Sequence, residues 1–439
     1  MKFGFYTKKI TVFALVVLMT VVSAFPQNTN VKTPRQEKLL NGLKVLMWSD
    51  PSAQNVSVKI RFHSGSAFDP QEKEGLMQIL AENIFPNDAV REFFTDDLGG
   101  TLEVVTNFDY IQINASAKSD EFLNLMETLA NAVANPTIDK EITAKLKARQ
   151  LEKVNQLEKN PAYIADQVTA RRLFGNFPYG RKQAGSPESV QKIDFADLIF
   201  AKERFLTADN ATVTITGNFK TDLAFRAARR YFGAWIKSDK RVPSTFRQPE
   251  EPDTKLFGVS LSSNGDSEVR YALRGLARND KDFAASMVLT HILNNRLQDF
   301  APKPSASNIF VRQDERILPG VIVFGYKSSP KPVVAMPIDS SSATTAAQPQ
   351  NTASLLLSQS ITTDEFTKAK AASLNDLSKK TIADWWLDID TFKIASVSDE
   401  ANNFNSVTQT DVQKVADKLS KSPVVSVSLI QTGAATSKN

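Results

Sequence analysis

Between positions 56 and 62 apolar and polar side chains alternate, with Val56, Val58, Ile60 and Phe62 set against Ser57, Lys59 and Arg61. A period of two puts each set on its own face, so this segment predicts a strand with one side buried. Residues 43–47 predict a shorter strand behind an Asn41-Gly42 turn. Gly65 and Asp69-Pro70 break the pattern, and it resumes with a longer period. Leu76, Ile79, Leu80 and Ile84 then share one side of a helix over 75–85. Residues 102–117 alternate again as a strand pair led by Gly99-Gly100, and helical spacing follows over 122–133, 138–158 and 161–174. A strand at 211–216, closed by Gly217, and a helix at 223–232 complete the first half.

Residues 238–255 carry Pro243, Pro249 and Pro252 among charged side chains and predict an interdomain linker. Past it the pattern begins again: strands at 256–262 and 268–274, a helix at 282–297, a strand at 321–327, helices at 364–379 and 411–419, and a last strand at 424–430. The order strand, polar break, helix, long helical stretch, final strand thus occurs twice, which divides the chain into modules at 30–237 and 256–434. Residues 328–363, Pro-rich and then uncharged and rich in Ser, Thr and Ala, predict a mobile surface loop.

Composition adds the compartment. At 42% hydrophobic and 23% charged the chain has the balance of a soluble globular protein. Lys2, Lys8 and Lys9 precede an apolar stretch over 10–22, and Val22-Ser23-Ala24 supplies small residues at its exit. This predicts a cleaved signal peptide over 1–24 and an exported protein, periplasmic or secreted. Cleavage removes three lysines and no acid, so the formal charge falls from +5 to +2. Such a balance gives no reason to expect nucleic acid or an anionic membrane as partner. No other apolar run is long enough to cross a bilayer, so the mature chain is expected to be free of the membrane. Cysteine is absent, which excludes disulfides, thiol catalysis and zinc ribbons.

Several segments carry a resemblance. Asn210 to Phe219 (NATVTITGNF), with Tyr231-Phe232-Gly233-Ala234-Trp235 after it, resembles a segment of the pitrilysin-type, insulinase-like M16 peptidases. So do Phe177-Pro178-Tyr179-Gly180 followed by Gly185-Ser186-Pro187-Glu188-Ser189-Val190, and Asn41-Gly42-Leu43-Lys44-Val45 near the start. Residues 361–370 (ITTDEFTKAK) and 407–412 (VTQTDV) are similar to that family's C-terminal module. The resemblance implies an α+β chain of two homologous α/β modules, each a mostly antiparallel sheet covered by helices. It also implies chains that pair to enclose a chamber for unfolded peptides, and an inverted zinc motif, H-x-x-E-H, on the first helix. Histidines at i and i+4 share a helix face and reach one Zn²⁺, while the Glu takes a proton from the metal-bound water.

Laid over that motif, the first His position is Gln78, the Glu is Ala81 and the second His is Glu82. The family's distal acidic ligand, counted back from Asn160-Pro161, falls at Lys153, with Glu152 beside it. A neutral amide competes poorly with imidazole for zinc, and alanine cannot act as a base. Glu82 has two readings: one leg of an altered metal site with Glu152 and His63, or a solvated residue in i, i+4 contact with Gln78. The only histidines, His63 and His291, have no partner at ligand spacing and read as structural or surface residues. The family's Arg–Tyr pair of the C-terminal module would fall near Pro302 and Ile309; only Arg296, a weak binding candidate expected to be a solvated charge, remains nearby. Met77, Phe93, Phe94, Trp235, Trp385 and Trp386 are expected as core or module contacts.

The expectation is therefore an exported pseudopeptidase without a cofactor of its own. It would pair with a zinc-bearing M16 subunit, or with itself, around unfolded peptides. A peptide-binding scaffold without a protease partner and a metalloendopeptidase with an altered metal site are the alternatives.

Overall fold

The computed structural model describes residues 32–238, 246–261, 266–301, 306–328 and 352–431. The segment predicted as a signal peptide lies outside them. The first half builds a six-stranded sheet from β1 (Arg35–Lys38), β2 (Lys44–Ser49), β3 (Asn55–Phe62), β4 (Thr101–Thr106), β5 (Ile111–Lys118) and β6 (Ala211–Gly217). Its spatial order is β1-β2-β6-β3-β5-β4, antiparallel throughout except for the parallel pair β2 and β6. Eight helices belong to this half: α1 (Leu76–Asn83), α2 (Asp88–Asp96), α3 (Phe122–Ala134), α4 (Lys140–Leu157), α5 (Pro161–Phe174), α6 (Pro187–Lys192), α7 (Phe195–Phe205) and α8 (Thr221–Phe232).

The two faces of β3 divide as the alternation requires. Val56, Val58, Ile60 and Phe62 are fully buried in one core with Met77, Ile79 and Leu80 of α1 and Leu125, Met126 and Leu129 of α3. Each such side chain contributes about 1.5–3 kcal/mol by leaving water. The other face holds Lys59 and Arg61 and is covered from the second half of the chain, as described below.

That second half forms a five-stranded sheet from β7 (Phe257–Leu261), β8 (Ser267–Arg274), β9 (Ala306–Gln313), β10 (Val321–Ser328) and β11 (Val425–Gln431). Its helices are α9 (Phe283–Phe300), α10 (Thr352–Ser358), α11 (Thr363–Ser378), α12 (Ile382–Phe392), α13 (Val397–Ser406) and α14 (Gln409–Leu419). The strand order is β7-β11-β8-β10-β9, with only β7 and β11 parallel. If β1 is set aside, both sheets place their first strand beside their last, then the second, the fourth and the third. The same plan is used twice, as the repeated order of elements predicts.

One expectation needs correction. The predicted loop 328–363 is not all loop: 329–351 lie outside the described residues, but α10 occupies 352–358 and buries Ala353, Leu356 and Leu357 against α9 and α14. The uncharged composition concealed a short apolar helix. The predicted linker, where it is described, packs on the first half: the Phe246 ring lies tilted 5.2 Å from Phe68, the Glu250 carboxylate accepts from Asn176, and Asp253 pairs with Arg172 at 3.0 Å.

Candidate functional site

The helix that carries the family's motif positions is fixed at its start. Gly75 adopts φ +96°, a conformation that L side chains rarely enter, and a Cβ there would lie 2.8 Å from the Ala184 carbonyl oxygen. Asp69, buried, accepts from the backbone N–H of Gly75 through Oδ2 and of Met77 through Oδ1, both at 2.8 Å. It thereby satisfies two of the orphan donors at the start of α1. The Asp69-Pro70 break in the sequence is thus the anchor of the site helix.

On α1, Gln78 and Glu82 are half-buried, while Ala81 is 2% exposed and belongs to the core. Lys153 reaches across from α4 and its ammonium donates to Gln78 Oε1 at 3.4 Å. Gln78 therefore faces Lys153, and among the described residues no hydrogen bond joins it to Glu82. Glu152 and Lys153 are exposed. Zinc does not fit these residues: one carboxylate, one amide and an ammonium share the spot, and like charge repels a cation. Among the described residues no group of three or more His, Asp or Glu is placed to hold a metal.

His63 stands elsewhere. It follows Phe62 at the end of β3 and faces the side opposite α1, where both ring nitrogens meet threonines: Nδ1 with Thr391 Oγ1 of α12 and Nε2 with Thr212 Oγ1 of β6, each at 3.0 Å. Its partnership with Glu82 and Glu152 in an altered metal site is not made. Thr391 gives its proton to the Leu387 carbonyl, so Nδ1 donates to it. Thr212 divides its single proton between Nε2 and Asp390, whose carboxylate is also held by Lys44 at 3.0 Å. Burial drives the His63 imidazole down to about 3, against the pull of Asp390. The unfolded chain, with an ordinary histidine near 6.5, therefore takes up this proton first. Stability from neutral His63 is whole above about pH 6.5 and falls as the pH drops towards 3, by up to ~1.4 kcal/mol per pH unit. Urea-unfolding midpoints between pH 7.5 and 5 should fall in the native chain and fall less in His63→Gln; equal slopes would remove His63 as the source.

Around it lies a polar junction between the two halves that the sequence did not single out. Arg61, 3% exposed, bonds Asp388 of α12 and Gln112, each at 2.5 Å, and its guanidinium lies 4.2 Å over the Tyr110 ring. Lys59 pairs with Asp384 at 2.6 Å. Lys380 reaches Asp388 and Glu315, and Arg278 holds Glu315 and Glu400. Burial would raise the Glu315 carboxyl, but Lys380 and Arg278 hold it below its usual range. The available signal was a pair of spacings: basic residues at i, i+2 on a strand face, and Asp384 and Asp388 at i, i+4 on a helix face. Trp386, beside them on α12, meets Trp48 edge-on at 6.2 Å, a module contact as expected.

Arg296 is not a solvated charge. It is 8% exposed and forks onto Glu365 at 2.7 and 3.1 Å while donating to the carbonyls of Leu356, Gln359 and Ser360. It ties α9 to the start of α11 and has no capacity left for a ligand. With its N–H donors, Arg296 draws the Glu365 carboxyl down to about 2. His291 lies 3.4 Å from Asp376 of α11. Of the Arg–Tyr positions, Pro302 falls outside the described residues and Ile309 lies in β9.

Comparison with known proteins fixes the family. Residues 44–185 match the family model described as insulinase (peptidase family M16), and 192–373 the one described as peptidase M16 inactive domain. The chain belongs to peptidase family M16. This M16 chain is 24% identical over 217 residues to an uncharacterized zinc protease of Rickettsia felis, covering 46% of this chain and 50% of that one. It is 30% identical over 217 residues to cytochrome b-c1 complex subunit 1 of Saccharomyces cerevisiae, covering 46% and 45%. The chain thus spans about half the length of the curated relatives it matches. Its fold superposes on a peptidase M16 inactive domain from Pseudomonas fluorescens with TM-score 0.77 at 18% identity, covering 92% and 99% of the two chains. It also superposes on the first half of the periplasmic protease PqqL of Escherichia coli with TM-score 0.66 at 14% identity, covering 91% and 92%. The second family model begins at 192, ahead of β6, although β6 lies between β2 and β3 in the first sheet. No helix among the described residues of this M16 chain is long and apolar enough to cross a membrane.

Proposed function

We propose that this M16 chain is a pseudopeptidase: an exported, non-catalytic subunit that pairs with a zinc-bearing M16 chain and completes its peptide-processing chamber. The observation that carries this is the Lys153 ammonium bonded to Gln78. It stands between the two helices from which, by resemblance, the family holds its metal. A cation fixed there by the protein replaces the cation that would activate water, and Ala81 supplies no base beside it. The framework around it stands, in both sheets and in the anchored start of α1. Two relatives, a mitochondrial-processing peptidase of Arabidopsis thaliana and the yeast b-c1 protein, carry the word subunit in their names, which supports a role within an assembly. Any zinc would then belong to the partner.

The test is isolation of the tagged chain from its native host with partner and zinc content measured together. A roughly stoichiometric partner bearing an intact H-x-x-E-H, and no zinc in this chain alone, is the expected result. Zinc held by this chain alone, with chelator-sensitive peptide cleavage, would overturn it; neither partner nor zinc would replace it with a peptide-binding scaffold.

A further inference from the structure

Beside α5 an open cleft of about 530 Å³, a volume typical of ligand sites, is lined by Arg171, Arg172, Arg181 and Lys182 against a single acid, Glu74. Lys182 pairs with Glu158 at 2.6 Å and Arg172 with Asp253 at 3.0 Å. Arg171 and Arg181 form no ion pair within 4 Å among the described residues, although Arg181 lies near enough to the Asp69 carboxyl to act on it. Arg171 spends only Nη1, on the Gly175 carbonyl at 3.0 Å; Arg181 spends Nε and Nη1 on the carbonyls of Asn176 and Asp69, both at 3.0 Å. Both guanidiniums thus keep free N–H groups, and the buried Nε–H of Arg172 also lacks an acceptor.

A second cavity of about 220 Å³ shares Gln167 and Arg181 as walls. There the hydroxyl of Tyr163 and the amide oxygen of Gln167 are buried without a hydrogen-bond partner. A buried polar atom left unpaired is costly, and a ligand group or a water in the cleft would satisfy these two. The free N–H groups of Arg171 and Arg181, not the Gln167 oxygen, point to an anionic acceptor, and planar guanidiniums suit a carboxylate.

The apolar part of the lining is Val168, one turn before Arg171 and Arg172 on α5, and Phe257, whose ring lies 4.5 Å under the Arg172 guanidinium and which belongs to β7, the edge strand of the second sheet. An edge strand offers unpaired backbone groups to an extended chain. We infer that this cleft takes the carboxylate end of a peptide whose last residue is apolar, with Arg171 and Arg181 on the carboxylate and Phe257 against the terminal side chain. This rests on the reading of the chain as one that handles peptides without cutting them, and adds which end of the peptide it holds.

The test is fluorescence anisotropy with the purified chain and a labelled peptide ending in Phe, as the free acid and as the C-terminal amide. The acid is expected to bind at least tenfold more tightly, and Arg171→Gln to abolish that preference while leaving the thermal midpoint unchanged. Arg171 is exposed and makes one internal bond, so its loss leaves the fold in place; Arg181→Lys, which keeps the charge but not the fork, should give an intermediate preference. Equal binding of acid and amide, or binding of neither, would overturn the assignment to the cleft. 3-Phenylpropanoate displacing the peptide at lower concentration than the peptide's own dissociation constant would reassign the cleft to small organic acids. None of these outcomes bears on whether a zinc-bearing partner co-purifies, so the two readings fail separately.

Discussion

Arg61→Ala should destabilise the chain by about 3 kcal/mol or more, a loss in the range measured when one member of a buried ion pair is removed. Arg61 is 3% exposed and serves chiefly the Asp388 carboxylate, the Gln112 amide oxygen and the Tyr110 ring, with longer contacts to Thr391 and Asp384. Its removal leaves Gln112 without a donor and Asp388, 5% exposed, dependent on Lys380 alone. Lys59→Ala should cost nearer 1 kcal/mol, because Lys59 and Asp384 retain about a fifth of their exposure and water screens the pair. A double variant, Arg61→Met with Asp388→Leu, should recover most of the loss, since apolar side chains of similar volume need no partner. Urea-unfolding midpoints of the four proteins measure this. A loss below 1 kcal/mol for Arg61→Ala would mean that the junction between the halves is solvated and that Arg61 does not hold it.

How much of this was legible in the sequence depends on the range of the interaction. Period-two alternation over 56–62 and the apolar stripe through Leu76, Ile79 and Leu80 are local, and both elements stand where the pattern puts them. The doubling of the fold was legible as an order of elements. Long-range polar pairing was not. Arg296 reads as one charge in a helix, yet its partners are Glu365 and three carbonyls sixty or more residues away. Asp384 and Asp388 read as ordinary helix acids, and only the second half's placement over the first sheet shows what they meet. The same limit applies to His63. Its position at a strand end was clear, but not that the strand turns it away from α1, and that turn removes it from any site with Glu82.

At the candidate site, by contrast, one contact reports directly. Gln78 and Glu82 are four apart on α1 and share a face, and the Lys153–Gln78 bond shows that position 153 meets position 78 in space. If these are the family's ligand positions, restoring its ligand types there should restore metal binding. The triple variant Gln78→His, Glu82→His and Lys153→Glu should gain zinc affinity by a hundredfold or more over the native chain, about 3 kcal/mol or more. Two imidazoles and a carboxylate with one open position form the coordination of a catalytic zinc. Lys153 is the decisive change: with Gln78→His and Glu82→His alone, the ammonium remains beside the ligands and should hold the gain well below that of the triple variant. Ala81→Glu is best added last, because Ala81 is 2% exposed and a carboxylate there is tolerable only facing the metal-bound water. Isothermal titration with zinc, followed by a peptide-cleavage assay once Ala81→Glu is in place, tests both steps. A triple variant that binds zinc no better than the native chain would show that positions 78, 82 and 153 do not converge as the family's ligands do. Tight stoichiometric zinc in the native chain would instead return it to the working peptidases.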